Sequence, residues 1–150
     1  MHPTAERLQT RLRELGLDVE VHELADSTRT APEAAAAVGA EVGQIVKSLV
    51  FMDGDSPVLC LCAGDRRVDT SKLGNAVRQA RGSEVRDATG FAIGGVPPLG
   101  HDQPIRTVVD SSLRRFETVW CAAGTPHAVF PVGTEALIAA IPDAEVQEVA

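Results

Sequence analysis

A lysine stands in the middle of an apolar run, IVKSLVF, Ile45 to Phe51. As a strand, this run places Lys47 on one face with Ile45, Leu49 and Phe51, and Val46, Ser48 and Val50 on the other. Both faces are largely apolar, so the strand reads as central and covered on both sides. An ammonium without a partner there is costly. Either the stem lies along apolar surface while the amine reaches solvent, or the strand floors a cavity in which the amine meets an anionic or polar ligand. A second segment, IGGVPPLGH (Ile93 to His101), can neither extend a helix nor sit in a central strand. Gly94 and Gly95 permit close backbone approach, and Pro97 and Pro98 stiffen the rest of the segment. It is either a tight surface turn or a rigid loop whose N–H groups cradle an anion or the oxyanion of an acyl transfer. In a third segment, CAAGTPHAVFPV (Cys121 to Val132), a turn at Gly124-Thr125-Pro126 leads into a strand opened by His127. His127 is either a structurally satisfied histidine or a hydrogen-bonding group at a cavity rim.

Other chemistries find little support. The chain has no phosphate-binding P-loop, no G-x-G-x-x-G and no G-x-S-x-G nucleophile elbow. No carboxylate pair stands out for glycoside chemistry. His101, Cys121 and His127 lack zinc-ligand spacing, so no metal is expected. With 150 residues, 44% of them hydrophobic, the chain fits one domain with a real core. The net charge of -7 argues against a strong non-specific nucleic-acid binder. The charge is uneven, however: Arg66, Arg67, Lys72, Arg78, Arg81 and Arg86 crowd one stretch, whereas the last twenty residues hold acids and no base. Four phenylalanines, one tryptophan and no tyrosine are few for a base-stacking platform. The odd count of three cysteines, Cys60, Cys62 and Cys121, does not suggest a disulfide framework and favours a reducing, cytoplasmic setting. No apolar run approaches the roughly 20 residues of a membrane span, and the first residues lack the apolar stretch of a signal peptide.

The elements that position these groups emerge from periodicity. Leu8, Leu12 and Leu15 at helical spacing after Pro3 predict a helix ending at Gly16. LDVEVHEL predicts a half-buried strand, and Thr30, Pro32 and Glu33 open an alanine-rich helix over 31–38. IVKSLVFM and PVLCLCA form two strands joined at MDGDSP. Asp69 caps a helix over TSKLGNAV. SEVRDATGFAIGGVPPLG is loop and short helix. Beyond it come strand TVVD, a helical SSLRRF, strands ETVWCAA and AVFPV, helix GTEALIAAI and a last strand EVQEV. The interleaving predicts a single α/β domain over 1–150, with helices around one mixed sheet curled towards a barrel.

Four segments in this order, IVKSLVF, VDTSKL, GGVPPLG and AAGTPHAVF, resemble the YbaK-type aminoacyl-tRNA deacylases, a family related to the editing domain inserted in bacterial prolyl-tRNA synthetases. The resemblance runs from the first helix to EALIAAI. It implies an editing-domain fold over 1–150 and hydrolysis of an amino acid wrongly joined to tRNA, in the cytoplasm, without metal or organic cofactor. Lys47 would be the essential lysine at the acylated terminus. Gly94 and Gly95 would offer backbone groups to the ester, with Val46, Leu49, Val96, Pro97, Pro98, Gly124 and His127 around the substrate. Arg66, Arg67 and Lys72 would contact tRNA, and Asp69 with Lys72 matches a recurrent Asp-x-x-Lys pattern. The Thr125-Pro126-His127 turn, where some members carry arginine-glycine, favours alanine on tRNA-Pro over cysteine. The expected partner is the 3′ end of aminoacyl-tRNA, with a synthetase as a further candidate, and neither DNA nor membrane. The rival reading is a non-catalytic tRNA- or synthetase-binding regulatory module of the same fold.

Overall fold

The computed structural model describes residues 1–25 and 30–150. Helix α1, Pro3–Glu14, begins where Nδ1 of His2 accepts the Thr4 N–H at 3.1 Å, and it buries Ala5, Leu8 and Leu12. The alternation after it predicts a strand over 17–24, yet only β1, His22–Glu23, pairs with another strand. Leu17, Val19 and Val21 are buried as the pattern requires. Their backbone is served by α1 instead of a ladder: Gln9 accepts the Val21 N–H at 2.8 Å and Arg13 donates to the Val19 carbonyl at 3.2 Å.

Helix α2, Ala31–Val38, matches its predicted span; Thr30 caps it through the Glu33 N–H at 3.3 Å, and Gly39 closes it at φ 71°. Strands β2, Val46–Asp53, and β3, Ser56–Ala63, form the expected hairpin, with Gly54 at φ 62° in its turn. Asp69 does cap, but over a single 3-10 turn, Thr70–Lys72; the chain then extends into β4, Val77–Gln79, which pairs with the end of β2. Helix α3, Gly82–Thr89, and strand β5, Arg106–Asp110, lead through a 3-10 turn to β6, Thr118–Ala122, and β7, Ala128–Gly133. Helix α4, Thr134–Ala140, precedes β8, Glu145–Gln147.

The expected mixed sheet is present, but not as a curled barrel. Five strands lie in the order β4-β2-β3-β5-β8, antiparallel through β3 and parallel beyond it. A separate antiparallel sheet has the order β1-β7-β6. Closure needs a continuous ladder. Here the large sheet ends in three-residue edge strands, and among the described residues the two sheets share one bridge, Ile45 to Trp120.

Strand β2 is covered on both sides, as its composition predicts. Val46, Val50 and Met52 join Leu8, Leu12, Leu59, Leu61 and Phe130 in the main core, while Phe51 packs with Val58, Cys60, Leu73, Val108 and Val149 on the opposite face. The fully buried Asp110 gathers the chain end onto this frame. Its carboxylate accepts the Val149 and Ala150 N–H groups at 2.8 and 3.0 Å, the Ser112 N–H at 3.1 Å and the Ser112 hydroxyl.

Candidate active site

Beyond the Ile45–Trp120 bridge the two sheets part, and the split holds a hollow of about 290 Å3. One wall is the consecutive run Ile45 to Leu49, which leads into β2, and another is Trp120 to Ala122 on β6. Ile93, Gly94 and Val96 close it from the glycine-proline loop, and Thr30, Ala31, Ala34 and Val38 close it from α2. The alanines of α2 explain how a helix comes so close to the sheet.

Lys47 is half-buried at this hollow, and its ammonium donates to the carbonyl of Arg66. Among the described residues it forms no ion pair. Its register partner on β3 is Cys62. Burial pushes the Cys62 thiol up, with the Lys47 charge pulling the other way. Arg66 thus sits beside the lysine, and Arg66, Arg67 and Lys72 are all exposed. In the same basic stretch, Arg78 and Arg81 are both spent on Glu84, at 2.7 and 3.3 Å.

The glycine-proline loop departs from its expected role at Gly95. This residue is buried, and its N–H donates to the Ala92 carbonyl at 3.0 Å while its own carbonyl accepts the Gly124 N–H at 2.9 Å. A Cβ there would meet the Gly124 oxygen at 2.8 Å and the Thr125 Cα at 3.0 Å. Gly95 is the point where two loops touch backbone to backbone, and its N–H is not an open donor. Gly94, exposed at φ 90°, and the buried Val96 line the hollow; neither N–H has an acceptor among the described residues.

Pro97 and Pro98 are buried behind this loop. The Pro97 carbonyl contacts Nε2 of His101 at 2.7 Å, and Pro98 lines a separate cavity of about 600 Å3 with Arg11, His101 and Ile141. That larger cavity lacks Lys47. Gly124 and the exposed His127 line a neighbouring cleft of about 530 Å3 with Arg86 and Phe91, not the hollow itself. Of the residues expected around a substrate, Val46, Lys47, Leu49, Gly94 and Val96 therefore come together, and Pro97, Pro98, Gly124 and His127 surround them at one remove. His101, Cys121 and His127, weighed as zinc ligands, fall in three different places.

Sequence reasoning missed Ser48, Ile93 and Trp120 as lining residues. Trp120 carried a signal: it alternates with the buried Val119 and Cys121 on a strand and so faces away from the main core.

Comparison with known proteins places the whole chain. The sequence pattern of the aminoacyl-tRNA editing domain matches residues 25–140. The uncharacterised protein YwhH of Bacillus subtilis (strain 168) is 33% identical over 126 residues, 81% of this chain and 80% of its own. The proline–tRNA ligase of Lactobacillus gasseri is 36% identical over 81 residues, 51% of this chain but 14% of the ligase. A crystal structure of a candidate trans-editing enzyme for prolyl-tRNA synthetase superposes with a TM-score of 0.92 at 47% identity, covering 99% of this chain and 98% of that one. A match over most of the sequence, in a chain whose hollow is bounded by residues of three of the four segments that carried the resemblance, makes this chain a member of the aminoacyl-tRNA editing domain family.

Proposed function

We propose that the chain deacylates mischarged aminoacyl-tRNA in trans, removing a small amino acid such as alanine from tRNA-Pro. The observation that carries this reading is the joint presence of Lys47, Gly94 and Val96 on one hollow of about 290 Å3. That volume sits at the lower end of the range for small-molecule sites.

In the reaction, water adds to the ester carbonyl and the C–O bond to the terminal ribose breaks. The products are the free amino acid and the tRNA hydroxyl. An aminoacyl ester is already activated, so no strong nucleophile is required. Lys47 holds the terminal nucleotide by charge-assisted hydrogen bonds. With the Gly95 N–H committed to Ala92, the loop's donors for the developing oxyanion are the N–H groups of Gly94 and Val96. Each well-placed donor is worth about 3 kcal/mol. The neighbouring ribose hydroxyl relays the proton to the leaving oxygen. Arg66, Arg67 and Lys72, all exposed in the segment that follows β3, meet the acceptor-stem phosphates.

Selectivity rests on volume. Val46, Leu49, Val96 and Trp120 line the hollow; on this reading they accept a methyl side chain and refuse the bulkier proline ring, whereas one missing methylene distinguishes substrates only about 10–200-fold. The test is a panel of mischarged tRNAs with wild type and Lys47→Met. Loss of a charge-assisted contact worth about 1.5–3 kcal/mol predicts a fall in kcat/KM of about 10–160-fold. Wild-type turnover by Lys47→Met removes the lysine from the mechanism; tRNA binding without turnover by the wild type selects the regulatory module.

A further inference from the structure

Ser48 lines the hollow beside Lys47 and is itself part-exposed, yet its Oγ is shut off from water and has no hydrogen-bond partner among the described residues. A hidden hydroxyl without a partner costs free energy, and alanine at this position would avoid that cost. The rest of the lining is apolar apart from Thr30 and Lys47, and it contains no carboxylate among the described residues. Thr30 is occupied, since its hydroxyl oxygen caps α2. An aminoacyl ester brings one strong donor into such a place, its α-amino group, and Lys47 cannot accept it. The hydroxyl of Ser48 can, after one rotation between staggered positions about its Cα–Cβ bond.

We infer that Ser48 is a positioning residue that accepts a hydrogen bond from the substrate's α-amino group, turning its hydroxyl into the hollow when the aminoacyl ester binds. This rests on the deacylase reading and adds to it the part of the substrate that is read. The hydroxyl in its unbound orientation is then a stability cost retained for recognition.

The experiment is a cycle between the protein and its substrate. Wild type and Ser48→Ala are assayed on an aminoacyl-tRNA that the wild type turns over and on the same tRNA carrying the desamino acyl group, with hydrogen in place of the α-amino group. On the free amine, Ser48→Ala is expected to lower kcat/KM about 10- to 100-fold, largely through KM. On the desamino substrate, the two proteins are expected to differ less than about twofold. The same variant is expected to melt about 2–4 °C higher, because it loses an unsatisfied buried group; Ser48→Thr, which keeps the hydroxyl, restores turnover of the free amine. Equal loss on both substrates, no loss on either, or a lower melting temperature for Ser48→Ala overturns the inference while leaving the deacylase reading intact. A wild type inactive on every member of the panel overturns both.

Discussion

Replacing Gly95 with alanine separates a scaffold role from a chemical one. The added Cβ would lie 2.8 Å from the Gly124 oxygen, 2.9 Å from the Gly124 carbonyl carbon and 3.0 Å from the Thr125 Cα. These are backbone atoms, which cannot turn aside as a side-chain tip can. Retreat is resisted from behind, since Gly124 is tied to Gly95 by the 2.9 Å hydrogen bond and lies against Phe91 and Thr4. Overpacking of this kind costs about 1–3 kcal/mol, which for a chain of this length lowers Tm by about 2–12 °C. The control is Gly82→Ala at the start of α3, where the nearest atom to the new Cβ is the Ile93 Cδ1 at 3.8 Å. It is expected to leave Tm unchanged or raise it, because alanine restricts the unfolded chain. Both variants are followed by thermal unfolding and by deacylation. Deacylation by Gly95→Ala is expected to fall along with stability, as the Gly94–Val96 loop is pushed off its seat. A Gly95→Ala protein with wild-type Tm but no turnover would refute this, and would return Gly95 to the ester.

Asp110→Asn is expected to destabilise strongly, by more than about 3 kcal/mol, because an amide must turn an NH2 towards donors now served by a carboxylate; urea unfolding measures it. Burial pushes the Cys60 thiol up to about 12 and raises Cys62 and Cys121 too, so a thiol reagent is expected to label the native protein far more slowly than the unfolded one. Because these thiols stay neutral in the fold, their stabilisation is full below the ordinary thiol value of 9.0 and declines as pH rises past it and the unfolded thiols ionise. Glu84 beside Arg78, Asp65 beside Arg115 and Glu145 beside Arg106 have lowered carboxyl values. Their contribution is therefore present above the ordinary carboxylate range and lost as pH falls through it, which a pH series of melting curves records. Arg66→Ala with Arg67→Ala is expected to weaken tRNA binding and to reduce its log–log salt slope by about 1–2, read from titrations at several salt concentrations.

Much of this molecule is legible before any coordinates. The span of α2 follows from Thr30, Glu33 and Gly39, and the β2–β3 hairpin from two apolar runs around Gly54, because caps and turns are local chemistry. The meeting of Lys47 with Gly94 and Val96 came only from the resemblance, since residues so far apart in sequence share no local signal. Besides the curled barrel, three readings failed for non-local reasons. The strand over 17–24 shrank to β1 because Gln9 and Arg13 intercept its backbone groups. The helix after Asp69 gave way to β4 because the end of β2 offered it an edge. Gly95 was read as facing a ligand when it faces Gly124; glycine permits close approach without saying what approaches.

The bridge between Ile45 and Trp120, the one link between the sheets among the described residues, has a consequence for how selectivity changes. A gap whose two flanks belong to different sheets has a width set by their mutual tilt as well as by the side chains on them. Substitutions behind the lining, in the buried core that Leu61 of one sheet and Phe130 of the other share, would then widen or narrow it like a shim under a hinge. Randomising that hidden layer is then expected to change which substrates are accepted while leaving every lining residue in place.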